Sequence, residues 1–237
     1  MTEIVAFSGG KDSTAMALLL EEREPNPGRL FLYTPTGNEL PPMRQHMRNM
    51  MDRLGRERFV FPPAPELVPL IREQRCIPNW RMRFCTRMIK IEPCIEYLRG
   101  LEHPTLCVGL RADEPLRKGL YDEEVENRYP LREWGLGIKD VLHVCRQYDV
   151  WVPERTDCAF CYYQRLIDWW RLWKNYPALY AEAEELEKEI GHTFRSESKD
   201  KHPASLTDLW FKFASGWVPK YRETKGDARG GCRVCAM

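Results

Sequence analysis

The first residues whose types could do chemistry together form the loop of residues 8–13, with the sequence SGGKDS. Gly9 and Gly10 would let the backbone approach a ligand closely, and free N–H groups at the start of a following helix attract an anion. Lys11 can neutralise phosphate charge, and Asp12 can hold Mg²⁺ or position a substrate group. The pattern predicts a phosphate-binding loop, with an ordinary glycine turn capped by serine as the alternative.

This loop differs from a Walker A motif, because Asp12 follows the lysine where that motif has Ser or Thr. The hydroxyls of Ser8 and Ser13 can donate further hydrogen bonds to phosphate oxygens. We therefore expect a nucleotide-phosphate site of another kind, with Lys11 and Asp12 as the candidate catalytic residues.

Nine cysteines form the second chemical signal, and four of them make the Cys-x-x-Cys pairs Cys158/Cys161 and Cys232/Cys235. In a reducing compartment, cysteines in such number favour metal binding or redox chemistry over disulfides. Thiolates suit an iron-sulfur cluster. One alternative is structural Zn²⁺ held by the two pairs, although about 70 residues separate them. Another is a metal-free chain in which the cysteines are small buried apolar residues.

Arg83, Arg87 and Lys90 lie four and three residues apart. On a regular helix they would form one cationic stripe suited to a sulfate, a phosphate or the negative charge of a cluster. The alternative is a solvated helix face.

Alternating strands and helices must position these residues. Apolar runs predict strands at residues 4–7, 30–33, 59–61 and 105–109, and amphipathic or apolar stretches predict helices at 14–22, 43–54 and 86–99. This alternation predicts a parallel sheet covered on both faces. The glycine loop follows the first strand, at the edge of such a sheet where ligands bind.

The last third of the chain has a different pattern, which predicts helices. Leu166, Trp169, Trp170 and Trp173 share one helical face, and a second apolar face ends at Gly191. At this spacing the tryptophans are core residues more often than base-stacking ones. We divide the chain into an α/β domain at residues 1–155 and a helical, cysteine-containing region at 156–237 that packs on it.

The charge is balanced, with 36 basic and 35 acidic side chains and a net charge of +1. No global attraction to nucleic acid or to an anionic membrane follows, although a local patch stays open. No apolar run approaches the roughly 20 residues that span a bilayer, and no signal-like lead opens the chain. We expect a cytoplasmic protein without a membrane partner.

The SGGKDS loop resembles the PP-loop of the ATP-pyrophosphatase and phosphoadenosine-phosphosulfate (PAPS) reductase superfamily. Residues 34–39 (TPTGNE), 108–111 (VGLR) and 129–134 (YPLREW) agree with further segments of that superfamily, and the resemblance covers residues 1–155. It implies a Rossmann-like, adenine nucleotide alpha-hydrolase-like fold. It also implies a bound adenine nucleotide with contacts from the loop and from Thr36, Gly37, Gly109 and Arg111.

Residues 85–93 (CTRMIKIEP) are similar to a segment of iron-sulfur adenylylsulfate (APS) reductases that begins with two adjacent cysteines and continues to Arg-Lys-x-x-Pro. Phe84 occupies the place of one cysteine. The resemblance implies a 4Fe-4S cluster on Cys85, Cys158 and Cys161. The fourth ligand would be Cys235 or Cys232, or one iron would stay open, as in PP-loop tRNA thiolation enzymes, and could hold sulfide.

The superfamily implies two enzymatic functions, and a third hypothesis comes from another class. In the first, ATP and Mg²⁺ activate an acceptor, pyrophosphate leaves, and sulfur from a donor displaces AMP; a nucleic acid is one candidate acceptor. In the second, the nucleotide is APS or PAPS, Cys232 or Cys235 attacks its sulfur, and a thiol reductant completes the cycle. The third is a non-catalytic nucleotide sensor with a structural zinc. A homodimer is one candidate assembly.

Overall fold

A parallel sheet of five strands organises the part of the chain that the computed structural model describes, which is residues 2–119, 125–198 and 200–220. The strands are β1 (Thr2–Ala6), β2 (Leu30–Leu32), β3 (Phe59–Val60), β4 (Pro104–Cys107) and β5 (Glu126–Arg128). Their order is β3-β2-β1-β4-β5, and every pairing is parallel. The predicted α/β fold is confirmed. The chain reverses its direction of winding between β1 and β4, and a ligand crevice forms where such a reversal occurs.

Helices cover the sheet and make up the C-terminal region. They are α1 (Lys11–Arg23), α2 (Pro41–Leu54), α3 (Leu67–Gln74), α4 (Glu92–Arg99), α5 (Pro130–Glu133), α6 (Ile138–Gln147), α7 (Leu166–Asn175), α8 (Pro177–Ile190) and α9 (Leu206–Ala214). A 3₁₀ turn at Arg56–Arg58 precedes β3, and a π-helix at Thr86–Ile91 leads into α4. The C-terminal helices confirm the predicted helical extension.

The sheet is buried because its central strands are apolar on both faces. In β1, Ile4 packs on one side of the sheet and Val5 on the other, and both are fully buried. Phe7, Phe31 and Phe59 follow one another across neighbouring strands, with ring centroids 5.1–6.1 Å apart. These contacts fix the strand ends from which the glycine loop starts.

A second core lies between α3, the π-helix and the C-terminal helices. Trp169 is fully buried there, with its ring 6.3 Å from that of Tyr180 and 5.7 Å from that of Phe194. Trp170 and Trp173 pack against the same core. The prediction that these tryptophans are core residues is confirmed. Because this core takes residues from both sides of position 155, it fixes the cysteine-containing region against the sheet.

Four elements of the sheet domain were not predicted, namely α3, β5, α5 and α6. Strand β5 has the polar sequence ENR and is partly exposed, so it offers no apolar run to find. Helix α6 is amphipathic and packs on α1 through Val141, Val144 and Cys145. The predicted helix at 86–99 is real but divided, because its first part is π-helical. No helix among the described residues is long and apolar enough to cross a membrane.

Candidate nucleotide and cysteine site

The glycine loop joins the end of β1 to the start of α1. Gly9 has a φ of +69°, and Gly10 stands at the N-terminus of α1 without a side-chain cap. The Ser13 hydroxyl donates to the carbonyl of Gly10 over 3.1 Å, and the hydroxyls of Ser8 and Ser13 are 3.2 Å apart. The loop is thus held by its own serines, and the first N–H groups of α1 are available to an anion.

Gly9 is needed for its conformation and its neighbours, and we predict that Gly9→Ala both destabilises the chain and disturbs the site. An added Cβ would lie 2.6 Å from the Met47 sulfur and would also meet the end of Met43, which lines the nucleotide pocket. We expect a loss of at least about 2 kcal/mol of unfolding free energy and weaker nucleotide binding. Both are measured by denaturant unfolding and calorimetry.

Gly191→Ala is the matched control, since Gly191 has a φ of +77° but no atom within 4 Å of an added Cβ. It should cost about 1 kcal/mol and leave nucleotide binding unchanged. Equal effects of the two substitutions on nucleotide binding would contradict the role given to Gly9.

Lys11, Asp12 and Arg111 form a chain of charges beneath the loop. The Lys11 ammonium donates to Asp12 over 2.8 Å, and the Arg111 guanidinium donates to both Asp12 oxygens over 2.9 and 3.0 Å. Burial lowers the pKa of Lys11, and the attraction of Asp12 opposes that shift. The carboxylate of Asp12 is thereby fixed between two cations, and it lines the pocket.

Arg111 does not reach the pocket in the way that the sequence predicts. It is buried, and its guanidinium pairs with Asp12, with Asp113 at 2.8 Å and with Glu114 at 3.0 Å. Three carboxylates leave it no open direction toward an anion. In the structure, Arg111 orients the carboxylate of Asp12.

His46 helps to hold the glycine loop in place. Its Nε2 lies 3.1 Å from the hydroxyl of Thr14 in α1, and its ring also bonds with backbone groups of Trp151 and Gly9. Burial lowers the pKa of His46, and the two backbone bonds oppose this shift. The histidine is therefore held neutral while it joins the loop, α1 and the segment after α6.

This burial predicts a pH dependence of stability. Because the folded pKa of His46 lies below its ordinary value of 6.5, the unfolded chain binds this proton more readily. The stabilising contribution of neutral His46 is complete above about pH 6.5 and is lost as the pH falls below it. We expect His46→Gln to be less stable at pH 7.5 but to lose less stability than the parent between pH 7.5 and 5.5. Denaturant midpoints at the two pH values measure this, and equal losses would contradict it.

The pocket above the loop lies at the carboxyl ends of β1 and β4. Gly109 follows β4, and a Cβ there would lie 3.2 Å from the backbone of Asp12 and Ser13, so glycine lets the end of β4 lie close against the start of α1. Of the residues predicted to bind the nucleotide, these line the pocket: Ser8, Gly10, Asp12, Ser13, Thr36, Lys90 and Gly109. Apolar residues line its inner side: Phe7, Leu32, Met43, Ile91, Leu106, Val108 and Leu110. A lining that combines polar and apolar residues suits a planar base with a charged tail.

The predicted cationic stripe does not form. Lys90 faces the pocket, whereas Arg87 points to solvent and pairs with Glu92 at 2.9 Å. The reason is the π-helix at Thr86–Ile91, since its wider turn moves Arg87 and Lys90, which are three residues apart, onto different faces. Gly9, Lys11, Gly37 and Arg83 also lie outside the pocket lining, and Gly37 with a φ of +73° instead allows the close approach of Glu66.

Several pocket residues were not predicted as site residues: Tyr33, Thr34, Glu39, Thr86, Arg117, Lys118, Thr156 and Asp157. Thr34 and Glu39 belong to the TPTGNE segment, so the resemblance could have found them. Glu39 accepts hydrogen bonds from the backbone and hydroxyl of Thr36 over 2.5 and 2.7 Å, which fixes that threonine. Thr156 and Asp157 immediately precede Cys158, and only the tertiary fold shows that they reach the nucleotide pocket.

Cys85, Cys158 and Cys161 line one smaller pocket, as the sequence predicts for a shared ligand. They come from the start of the π-helix and from the turn before α7, which the second core holds together. The hydroxyls of Thr86 and Tyr162 line the same pocket and are buried, and among the described residues neither finds a hydrogen-bond partner. Such hydroxyls suit thiolate or sulfide sulfur as hydrogen-bond acceptors.

The three cysteines around this pocket fit the ligand arrangement of a 4Fe-4S cluster. No three Cys, His, Asp or Glu side chains converge on one ion site within residues 2–119, 125–198 and 200–220. A 4Fe-4S cluster takes one thiolate per iron, so its ligands surround a pocket and do not meet at a point. Cys232 and Cys235, predicted as nucleophile and fourth ligand, lie outside the described residues.

The described cysteines other than Cys85, Cys158 and Cys161 differ in their surroundings. Burial raises the pKa of the Cys145 thiol to about 11, with a further increase from Asp12, and burial beside Glu3 also raises that of Cys107. Both thiols stay protonated at neutral pH, which makes them poor nucleophiles and poor metal ligands. Cys94 lines the nucleotide pocket.

The two pockets share a wall. It consists of Thr36, Thr86, Lys90, Asp157 and Cys158, which line both. The Cys158 thiol donates to the hydroxyl of Thr36 over 3.4 Å. The backbone N–H of Ala159 donates to the carbonyl of Asn38 over 2.7 Å, which fastens the Cys-x-x-Cys turn to the TPTGNE segment. A group held by the cysteines would therefore stand next to a nucleotide held by the loop.

The fold and the loop define the class as nucleotide-binding α/β proteins whose phosphate site follows the first strand of a parallel sheet. The family can also be given. The chain belongs to the family of the phosphoadenosine phosphosulfate reductase domain, whose model matches residues 2–129. This confirms the resemblance to the PAPS reductase superfamily, and the family is one of enzymes.

The comparisons with individual proteins give more distant likenesses. None of the curated proteins compared with the chain matches it. Phosphoadenylyl-sulfate (PAPS) reductase from Candida auris is 13% identical, with 65% of this chain and 76% of that chain covered and a TM-score of 0.49. The U34-tRNA thiolase NcsA from Methanococcus maripaludis, solved with its [4Fe-4S] cluster, is 18% identical over 89% of this chain and 80% of that chain, with a TM-score of 0.46.

Proposed function

We propose that the chain is a PP-loop enzyme that uses ATP to activate an acceptor and then transfers sulfur to it. The observation that carries this proposal is the wall shared by the nucleotide pocket and the cysteine pocket. A sulfur nucleophile must reach the activated atom as AMP departs, and a common wall gives it that short path. We infer the same compartment as for other ATP users of this kind, the cytoplasm.

In the first step, an acceptor oxygen bonds to the α-phosphorus of ATP while the bond from that phosphorus to the bridging oxygen breaks. Pyrophosphate leaves with the electron pair of that bond. The N–H groups of α1, the hydroxyls of Ser8 and Ser13 and the charge of Lys11 stabilise it in the loop. Asp12, held by Lys11 and Arg111, has oxygens directed at the pocket and is the residue that we propose to bind Mg²⁺.

In the second step, sulfur at the oxidation level of sulfide bonds to the activated atom of the acceptor, and AMP leaves with its oxygen. Cys85, Cys158 and Cys161 would hold a 4Fe-4S cluster; in the form that transfers sulfur its fourth iron would stay open, whereas Cys235, or alternatively Cys232, would close it. When bound, a cluster with an open iron supplies a place to hold sulfide. Thr86 and Lys90 on the shared wall would then donate to the transferred sulfur and to the leaving phosphate.

Turnover of ATP by anaerobically purified protein tests the proposal. The chain is incubated with ATP and Mg²⁺, with and without a mixture of RNA and single-stranded DNA, and AMP and pyrophosphate are measured. Equal amounts of both products, increased by an acceptor, are expected. ATP that binds but is not cleaved would contradict the proposal and favour a nucleotide sensor.

A second candidate is the reduction of APS or PAPS, and the family model that matches residues 2–129 favours it. Cys232 or Cys235 would attack the sulfur of the nucleotide, AMP or its 3′-phosphate would leave, and a thiol reductant would release sulfite. The same protein is therefore also given APS, PAPS and a dithiol. Sulfite release together with unused ATP would replace the first proposal by this one.

A further inference from the structure

The segment of residues 75–90, called here the basic segment, concentrates the positive charge of the chain. It contains Arg75, Arg81, Arg83, Arg87 and Lys90 and neither Asp nor Glu. Because the basic segment carries +5 and the whole chain +1, the rest of the chain carries −4. Arg75, Arg81 and Arg87 are exposed. This is the local patch that the balanced overall charge leaves open.

A large aromatic side chain lies among these basic residues. Trp80 is 64% exposed, and Met82 beside it is also exposed. The guanidinium of Arg81 lies over the Trp80 ring, 4.6 Å from its centre. A planar aromatic ring next to a planar cation is the arrangement that stacks on an unpaired base.

The turn that carries Trp80 is held by its own hydrogen bonds. The Asn79 side chain accepts from the backbone N–H groups of Arg81 and Met82 over 2.9 and 3.0 Å, and the Asn79 N–H donates to the Met82 carbonyl over 3.1 Å. The ring is thus presented on an ordered turn, which lowers the entropy cost of stacking on it.

The basic segment leads directly into the proposed site. Pro78 and Cys85 line the cysteine pocket, and Thr86 and Lys90 line both pockets. Arg87 is 62% exposed and pairs with Glu92, which is 51% exposed, so a phosphate could take over that cation at little cost. A polyanion bound along the segment would therefore have one of its units beside the cysteines.

We propose that the basic segment binds single-stranded nucleic acid, with Trp80 stacking on an unpaired base and the arginines contacting phosphates. A duplex would not offer Trp80 an unstacked base, and an acidic protein would not need the ring. That this nucleic acid is the sulfur acceptor rests on the proposed function, but its binding to the segment does not.

The test measures the anisotropy of labelled single strands of roughly 15 nucleotides, oligo(dT) and oligo(U), at low salt. We expect Trp80→Ala to weaken binding at least about fivefold. Trp151→Ala is the matched control, since Trp151 is 65% exposed outside the segment, and it should have no effect. Arg87→Ala should lower the slope of log affinity against log salt by about 0.7. Arg56→Ala, which breaks a similarly exposed pair with Asp52, should leave that slope unchanged.

Four results would overturn this proposal: no binding at low salt, equal effects of the two tryptophan substitutions, duplex bound as tightly as single strand, or equal competition by polyglutamate. The outcome is independent of the proposed function. A chain that binds single strands through Trp80 but never cleaves ATP keeps this surface and loses the sulfur-transfer proposal. A chain that cleaves ATP but does not bind single strands keeps the sulfur-transfer proposal and loses this surface.

Discussion

Lys11→Ala is expected to lower pyrophosphate release from ATP by at least about 10²-fold while the chain stays folded. The lysine charge is the main cation of the glycine loop, and pyrophosphate gains negative charge as it leaves. The fold should survive, because Asp12 keeps its two bonds to Arg111 when Lys11 is gone. Burial of the Lys11 ammonium lowers its pKa because the charged group loses hydration. Lys11→Ala removes that desolvation cost.

The measurement compares pyrophosphate release, nucleotide affinity and the denaturant midpoint. Lys139→Ala, on the exposed side of α6, is the control for loss of one positive charge and should match the parent. If Lys11→Ala turned over ATP at the parental rate with an unchanged midpoint, the loop would not be the pyrophosphate site. A lower midpoint with proportionally lower activity would mean that Lys11 acts only in folding.

Cys161→Ser is expected to lose at least about tenfold of its metal content relative to the parent. Changing a residue that only orients a metal ligand already costs 10–100-fold in affinity, and a direct ligand should cost no less. Cys161 is buried in the pocket that it shares with Cys85 and Cys158, so no solvent ligand replaces it freely. Iron, sulfide and zinc analysis after anaerobic purification, with a visible absorption spectrum, gives the readout.

Cys107→Ser is the control, since Cys107 is buried in the core that contains α1, outside the cysteine pocket, and its thiol already donates to Glu3 over 3.4 Å. It should keep the parental metal content. Cys235→Ser then tests the fourth ligand, and Cys232→Ser the alternative. A soluble Cys161→Ser protein with unchanged metal would remove the ligand assignment, and one zinc per parental chain without iron would make the cysteines structural.

Local signals made much of this site predictable. The SGGKDS loop could be located because its glycines, its charges and the flanking apolar runs all lie within a short stretch. Cys85 and Cys158 could be grouped only through a resemblance, because more than 70 residues separate them in the sequence. What brings them together is the second core, against which the segment before the π-helix and the turn before α7 both pack, and no local pattern encodes that packing.

The errors have equally specific causes. Arg111 looked like an anion ligand because a buried carboxylate partner cannot be seen in a sequence, and three such partners surround it. Arg87 and Lys90 looked like neighbours because a regular helix was assumed where the chain makes a π-helix. Thr156 and Asp157 carry no sign of the nucleotide pocket, since their place in it follows from the turn that docks on Asn38.

The wall between the two pockets also has a thermodynamic consequence. Thr36, Thr86 and Lys90 cannot adjust to an occupant on one side without changing the surface offered to the other. Nucleotide and metal are then coupled ligands, and the coupling is reciprocal: if the metal-loaded chain binds ATP more tightly by some factor, ATP must hold the metal more tightly by the same factor. Where that factor exceeds one, a chelator would leave more metal on the nucleotide-saturated protein at equilibrium, and ATP would help to protect the centre.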